Sequence, residues 1–399
     1  MKYILSFFFL LNFVYSQQTV QIGMGASYQY DIFYSFEDGI TAFPERENWE
    51  LAFSVNDIPN IRINSGSGIT LFEVSNNIND WSQINIFPSD AKQLRNSNTN
   101  WNNGAFVVDE NGNFDSNWII SEDTGEQFLQ GSKVYIINYN QETKKVKINS
   151  YNDGIYNLTI ANLDNSNEQN IQVDSNDFID KKFAYYSISN NELIDREPFN
   201  FNWDILFTRY EEEYVTLNNE TMPYIVTGVL TNNNRSFEFN GPLDINPELN
   251  YSNFIFDINN IGYDWKEYSG VFTMVPNRSY YIFNQSETNL YKLIFNSFSG
   301  QASGNLSFNL EEIEYNQTSL MDNFQNHLNI FPNPNNGNFD VRLPKMVFSA
   351  SIFDLNGQLV INKQCDENCS FDLNNHSKGI YLLKLISNNI NLVKKIIVE

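Results

Sequence analysis

The chain is short of the residues that do most protein chemistry. In 399 residues it has two histidines and two cysteines, and its 24 Lys and Arg face 48 Asp and Glu, a net charge of −24. So few cations exclude polynucleotide binding and electrostatic docking on anionic membrane, since both reward Lys and Arg. Both histidines, His327 and His376, and both cysteines, Cys365 and Cys369, fall in the last quarter. The first 320 residues therefore hold no Ser-His or Cys-His pair and none of the usual zinc sets. Long apolar runs are absent apart from one near the start, Ile4 to Val14, behind Lys2. That run is too short to span a membrane and reads as a secretory signal, 1–16, cleaved between Ser16 and Gln17.

What remains is aromatic. With 33 Phe, 22 Tyr and 6 Trp, the composition suits strands packed on ring-filled cores. Trp49-Glu50-Leu51-Ala52-Phe53 and Trp203-Asp204-Ile205-Leu206-Phe207 alternate like half-buried strands, with Trp49 and Leu51, and likewise Trp203 and Ile205, expected on a shared face. Landmarks recur in order: Phe33 to Phe36 with Ala184 to Ile188, Trp118 with Trp265, Tyr135 to Asn138 with Tyr281 to Asn284. Further strands are expected at Ile61 to Asn64, Ala105 to Val108, Trp118 to Ile120, Val134 to Ile137 and Val146 to Ser150, with Ser65 to Gly68 as a loop. The expected fold is mainly β: two tandem β-rich modules, 17–170 and 171–318, a polar linker 319–327, and a small antiparallel β-sandwich, 328–399.

That last segment runs through Phe331-Pro332-Asn333-Pro334-Asn335-Asn336-Gly337-Asn338-Phe339, Asp354-Leu355-Asn356-Gly357-Gln358-Leu359-Val360, and Gly379-Ile380-Tyr381-Leu382 to Lys394-Lys395-Ile396-Ile397-Val398. It resembles the type A sorting domain of the type IX (Por) secretion system of Bacteroidetes. The resemblance implies a partner, the type IX secretion machinery, and a secreted or cell-surface location. Phe331, Pro332, Asn333, Pro334, Gly337, Gly357 and Gly379 are the motif positions. An exported site permits a disulfide, and Cys365 and Cys369 are read as a short bridge across a turn.

The two modules resemble the HmuY-like haem-binding family through Tyr34-Ser35-Phe36, the two Trp-led strands, Ile61 to Gly66, Val226 to Asn232 and Tyr291 to Phe295. This implies a haem or other small ligand. The family's best-known member holds iron with two histidines, which the modules lack, and some relatives use thioethers, so the resemblance leaves Met222 and Met274 as the candidate ligands, although a lone Met among aromatics is more often a gap-filling core residue. Asp109 to Asp115 has the wrong glycine position for a calcium loop and reads as a hairpin turn. Carboxylate pairs are plentiful, but no spacing singles one out. The expected function is non-enzymatic binding on the cell exterior. The alternatives are an adhesin or structural protein for glycans or cell envelope, and a carboxylate-based hydrolase.

Overall fold

The computed structural model describes residues 17–55, 59–107, 118–121, 128–215, 221–314, 328–355, 357–387 and 390–399. The signal segment with Ser16, the Asp109 to Asp115 turn and the linker 319–327 lie outside the described residues, and Gln17 is the first within them. The mainly β expectation holds: strands dominate, and the helical pieces described are 3-10 turns of three to five residues. One of these, Ala105–Val107, stands where a strand was expected, with all three side chains buried. No helix among the described residues is long and apolar enough to cross a membrane.

Alternating apolar residues build a first sandwich. Its inner sheet runs, in order, Glu192–Ile194, Phe183–Ser187, Leu51–Ser54, Ile61–Ile63, all antiparallel. The outer sheet runs Gln169–Asp174, Ile155–Asn162, Glu142–Asn152, Val134–Tyr139, Thr70–Ser75, Lys92–Leu94, with the hairpin Ile119–Ser121/Phe128–Gly131 joined to Glu142–Asn152. Leu51, Phe53, Ile61 and Tyr186 of one sheet share a core with Leu71, Tyr135, Ile148 and Tyr156 of the other.

A second sandwich repeats the order of the inner sheet, over an outer sheet of five strands where the first has eight. Its inner sheet runs Gly39–Ala42, Ile32–Ser35, Ile205–Val215, Thr221–Thr231, and its outer sheet Gln18–Gly23, Asn305–Ile313, Leu290–Phe298, Arg278–Phe283, Ser236–Asn240. Ile32, Tyr34, Ile205 and Phe207 pack there against Val20, Tyr280, Leu293 and Phe308. Strand pairing thus crosses the boundary expected near residue 170. Ile32–Ser35 pairs with Ile205–Val215, Phe183–Ser187 with Leu51–Ser54, and Gln18–Gly23 with Asn305–Ile313. Each half of the chain lends strands to the sandwich of the other.

The tryptophans do not share the faces of Leu51 and Ile205, as their spacing suggested. Trp49 packs with Ala52, Phe183 and Tyr185, and Trp203 with Phe33 and Leu206, on the opposite side of each inner sheet. The cause is local. Glu50 N donates to Tyr186 O at 3.1 Å and Asp204 N to Tyr34 O at 2.8 Å, yet the register partners of Tyr186 and Tyr34 are Leu51 and Ile205. Two residues oppose one, as in a β-bulge, and the alternation resets there. The carboxylate that follows each Trp closes the irregularity: Glu50 accepts from Ile188 N at 2.7 Å and Asp204 from Phe36 N at 2.8 Å.

The two inner sheets meet through this second face. Trp101 packs with Trp203 at 6.4 Å and with Phe183 at 6.0 Å, and its Nε1 donates to Thr231 O at 2.9 Å. Arg196, over the rings of Trp49 and Tyr185, pairs with Asp31 at 2.7 Å, both almost fully buried. The space left in this layer is about 60 Å³.

The C-terminal domain orders its strands Asn329–Phe331, Asn338–Phe353, Gly379–Ser387, Ile390–Val398, with Leu359–Asp372 also on Asn338–Phe353. Phe339, Phe348, Ile352, Phe371, Tyr381, Leu383 and Ile396 fill its core. Cys365 and Cys369 are bonded to each other within the strand Leu359–Asp372, both buried, rather than flanking a turn.

Candidate functional site

An open groove of about 480 Å³ lies on the second sandwich. One wall is the hairpin Lys266–Tyr268/Phe272–Met274, in which Tyr268 and Phe272 sit opposite each other in register. Their rings are 4.9 Å apart, and Phe272 stands edge-on to Phe298 at 4.8 Å. Phe298 stacks on Tyr28 at 6.0 Å with only 4° between the planes, and the Arg209 guanidinium lies 5.7 Å from the Tyr28 ring. The result is a continuous row, Tyr268, Phe272, Phe298, Tyr28, Arg209. Tyr224 to Thr227, Tyr263 and Gln301 complete the lining with Lys266. Tyr268 is 68% exposed and Tyr224 57%, so their faces are open to solvent.

Two backbone features set these groups in place. Ser27 and Tyr28 have φ of 55° and 58°, the left-handed region that costs an ordinary residue roughly 1–2 kcal/mol. Strain of that kind persists where surrounding structure enforces it, and here it presents the Tyr28 ring to Phe298. Opposite, the turn Ser65–Ser67 packs on the Arg209 strand so closely that a Cβ on Gly66 would lie 1.9 Å from Arg209 O. Only glycine fits, which gives the Ser65 to Gly68 run its purpose.

The electrostatics follow from burial. Lys266 Nζ donates to Thr227 O at 2.6 Å and Tyr263 O at 3.0 Å and lies 4.0 Å from the Trp265 ring centroid; burial pushes its pKa down to about 7. Arg209 is lowered by burial and then by Arg46. Tyr28 is raised by burial, against its hydrogen bond with Thr227 and the pull of Arg209.

The methionines singled out in the sequence lie elsewhere. Met222 is exposed on Thr221–Thr231, across from Tyr214, and Met274 packs against the second core at the end of the groove hairpin. Neither lines the groove. Sequence reasoning missed the groove because its residues come from five separated stretches, and no local spacing joins Tyr28 to Tyr268. The sole local signal is the hairpin Tyr268 to Phe272, where the Tyr268 ring faces solvent while Phe272 packs against the second core.

In the C-terminal domain the motif residues are tied together. Asn333 Nδ2 donates to Lys395 O at 2.8 Å while its Oδ1 accepts from Ile397 N at 2.9 Å, and Asn335 N donates to Ile397 O at 2.9 Å. The Phe331 to Pro334 entrance therefore reads the final strand directly, which is why the first and last blocks of the motif occur together. Phe331 is half exposed, and Gly337, Gly357 and Gly379 all have positive φ, which side chains disfavour.

Residues 329–399 match the family of secretion system C-terminal sorting domains. No curated protein matches the chain. The chain thus carries a sorting domain handled by the type IX secretion machinery, and its destination is the cell surface or the medium.

Proposed function

We propose that the exported body is a non-enzymatic binding protein that takes carbohydrate in the aromatic groove. The observation that carries this is the row of rings from Tyr268 to Tyr28, anchored on the buried Phe298 and exposed at Tyr268, with the exposed Tyr224 ring in the same lining. The face of an aromatic ring is negative, and the axial C–H groups of a pyranose are weakly positive, so sugars lie flat on such rings while phenol hydroxyls meet their hydroxyls. The groove lining contains no Asp, Glu, His, Cys or Ser, whereas glycoside hydrolysis needs two carboxylates across the scissile bond. Absence of either thioether from the lining favours a sugar over haem as the occupant. The matching inner-sheet orders and the paired Trp-acid bulges support two copies of one HmuY-like module, with the groove on the second sandwich.

Affinity electrophoresis through gels containing soluble polysaccharides tests this. The purified chain is expected to be retarded by at least one of them, and Tyr268→Ala, at an exposed ring, to abolish the retardation without moving the melting temperature. Equal retardation of the variant would remove the groove from the account.

A further inference from the structure

The groove belongs to a chain with twice as many acidic as basic residues, yet its lining holds Arg209 and Lys266 and no carboxylate. Nearby acids are engaged elsewhere. Asp264 pairs with Arg278 at 2.9 Å, Glu212 accepts from Asn259 at 3.2 Å and from Asn98, and Glu47 pairs with Arg46 at 2.6 Å. Arg46 spends its other N–H groups on Tyr28 O at 2.9 Å, Gly66 O at 3.0 Å and Ser67 Oγ at 2.8 Å.

Arg209 differs from Arg46. Its Nε is buried and donates to nothing among the described residues, and the charges that act on it are Arg46, which opposes it, and Glu47, which is already paired with Arg46. A guanidinium held in a partly buried wall without a counter-ion of its own is costly, so this position is maintained against a penalty. Its planar fork matches a carboxylate, which accepts two parallel N–H···O bonds. Lys266 uses two of its three N–H donors on backbone carbonyls and keeps the third.

Resting on the carbohydrate reading above, we infer that the groove selects acidic polysaccharide. A uronic-acid ring lies against the exposed Tyr268 and Tyr224 rings of the lining, and its carboxylate is taken by the Arg209 fork beside Tyr28. The binding is non-covalent, and no bond in the sugar is broken.

The experiment compares polygalacturonate with its fully methyl-esterified form, which keeps the ring and loses the charge, using the purified full chain in affinity gels and by calorimetry. The acid form is expected to bind about tenfold or more tightly than the ester, as a charged hydrogen-bonded pair implies. Arg209→Gln should bring the acid form down to the level of the ester and leave the ester unchanged, with Arg209→Lys between them. Raising NaCl from about 0.05 to 0.5 M should weaken binding of the acid form by the wild type, a readout that needs no variant to fold. Equal affinity for acid and ester, or preference for a neutral glucan or xylan, overturns the acidic selectivity while the carbohydrate reading stands. Binding to no polysaccharide, acidic or neutral, overturns both.

Discussion

Asp204 shows how one residue is set by competing forces. Its carboxylate accepts from Phe36 N at 2.8 Å, Gln285 N at 2.9 Å and Asn234 Nδ2 at 3.1 Å, all of which favour the charged form. Burial outweighs them and lifts its pKa to about 6 from 3.8. A pKa raised in the folded state gives stability that is complete below about pH 4 and lost as the pH climbs through 6. A shift of that size corresponds to roughly 2–3 kcal/mol. Asp204→Asn cannot titrate, so the melting temperature of the wild type relative to this variant should fall between pH 4 and pH 7; a constant difference would mean the carboxylate is normal. Trp203 is 1% exposed and sits edge-on to Phe33 at 5.1 Å. Trp203→Ala should cost about 3–5 kcal/mol in denaturant unfolding, and Trp49→Ala less, because Trp49 is only half buried. Equal losses would contradict the different burial of the two rings. The Trp-led pentapeptides announced strands in the sequence, but not which way the indoles point. Simple alternation put Trp203 beside Ile205, and one extra residue at Asp204 turned it to the other face.

At the scale of the element, the Gln18–Gly23 strand contributes most for its length. It pairs with Asn305–Ile313 from Gln18 opposite Leu310 to Gly23 opposite Asn305, and sends Val20 and Ile22 into the second core, followed by Met24. Burying three such side chains is worth about 5–8 kcal/mol, a large part of the stability of an ordinary domain. A chain beginning at Gly25 is therefore expected to lose protease resistance across the second sandwich while Leu51–Ser54 and its partners remain protected, as peptide mapping of a limited digest would report. Uniform protection would show that the strand is dispensable. The alternation that marks single strands was legible in Ile61–Ile63, Val134–Tyr139 and Phe183–Ser187. Their partners were not, because strand pairing is decided by which apolar faces meet, and Ile32–Ser35 suits Ile205–Val215 in the opposite half as well as any neighbour. The sorting domain was the easier reading, since Asn333 ties its first block to its last and the sequence keeps both together.

For the whole molecule, destination and occupation sit in separate parts of the chain. Removing residues 329–399 should abolish appearance at the cell surface and in the medium while the protein still accumulates inside; undiminished release would refute the assignment of export to that domain. On the carbohydrate reading, a chain ending before residue 329 with the Gln18–Gly23 strand intact should be retarded in the polysaccharide gels as the full chain is. The exchange of strands between the two halves also sets a timetable. Leu51–Ser54 can find Phe183–Ser187 once residue 187 exists, so the first sandwich is completed partway through synthesis. The Gln18–Gly23 and Ile32–Ser35 strands are made first and completed last: Gly39–Ala42 covers one edge of Ile32–Ser35 at once, but the other partners arrive at Asn305–Ile313 and Ile205–Val215. Closing a contact across some 290 residues is slow. During that wait two apolar strand edges stand uncovered, and any holdase that keeps this chain fit for export would find its target at the N-terminal strands, at the opposite end from the sorting domain.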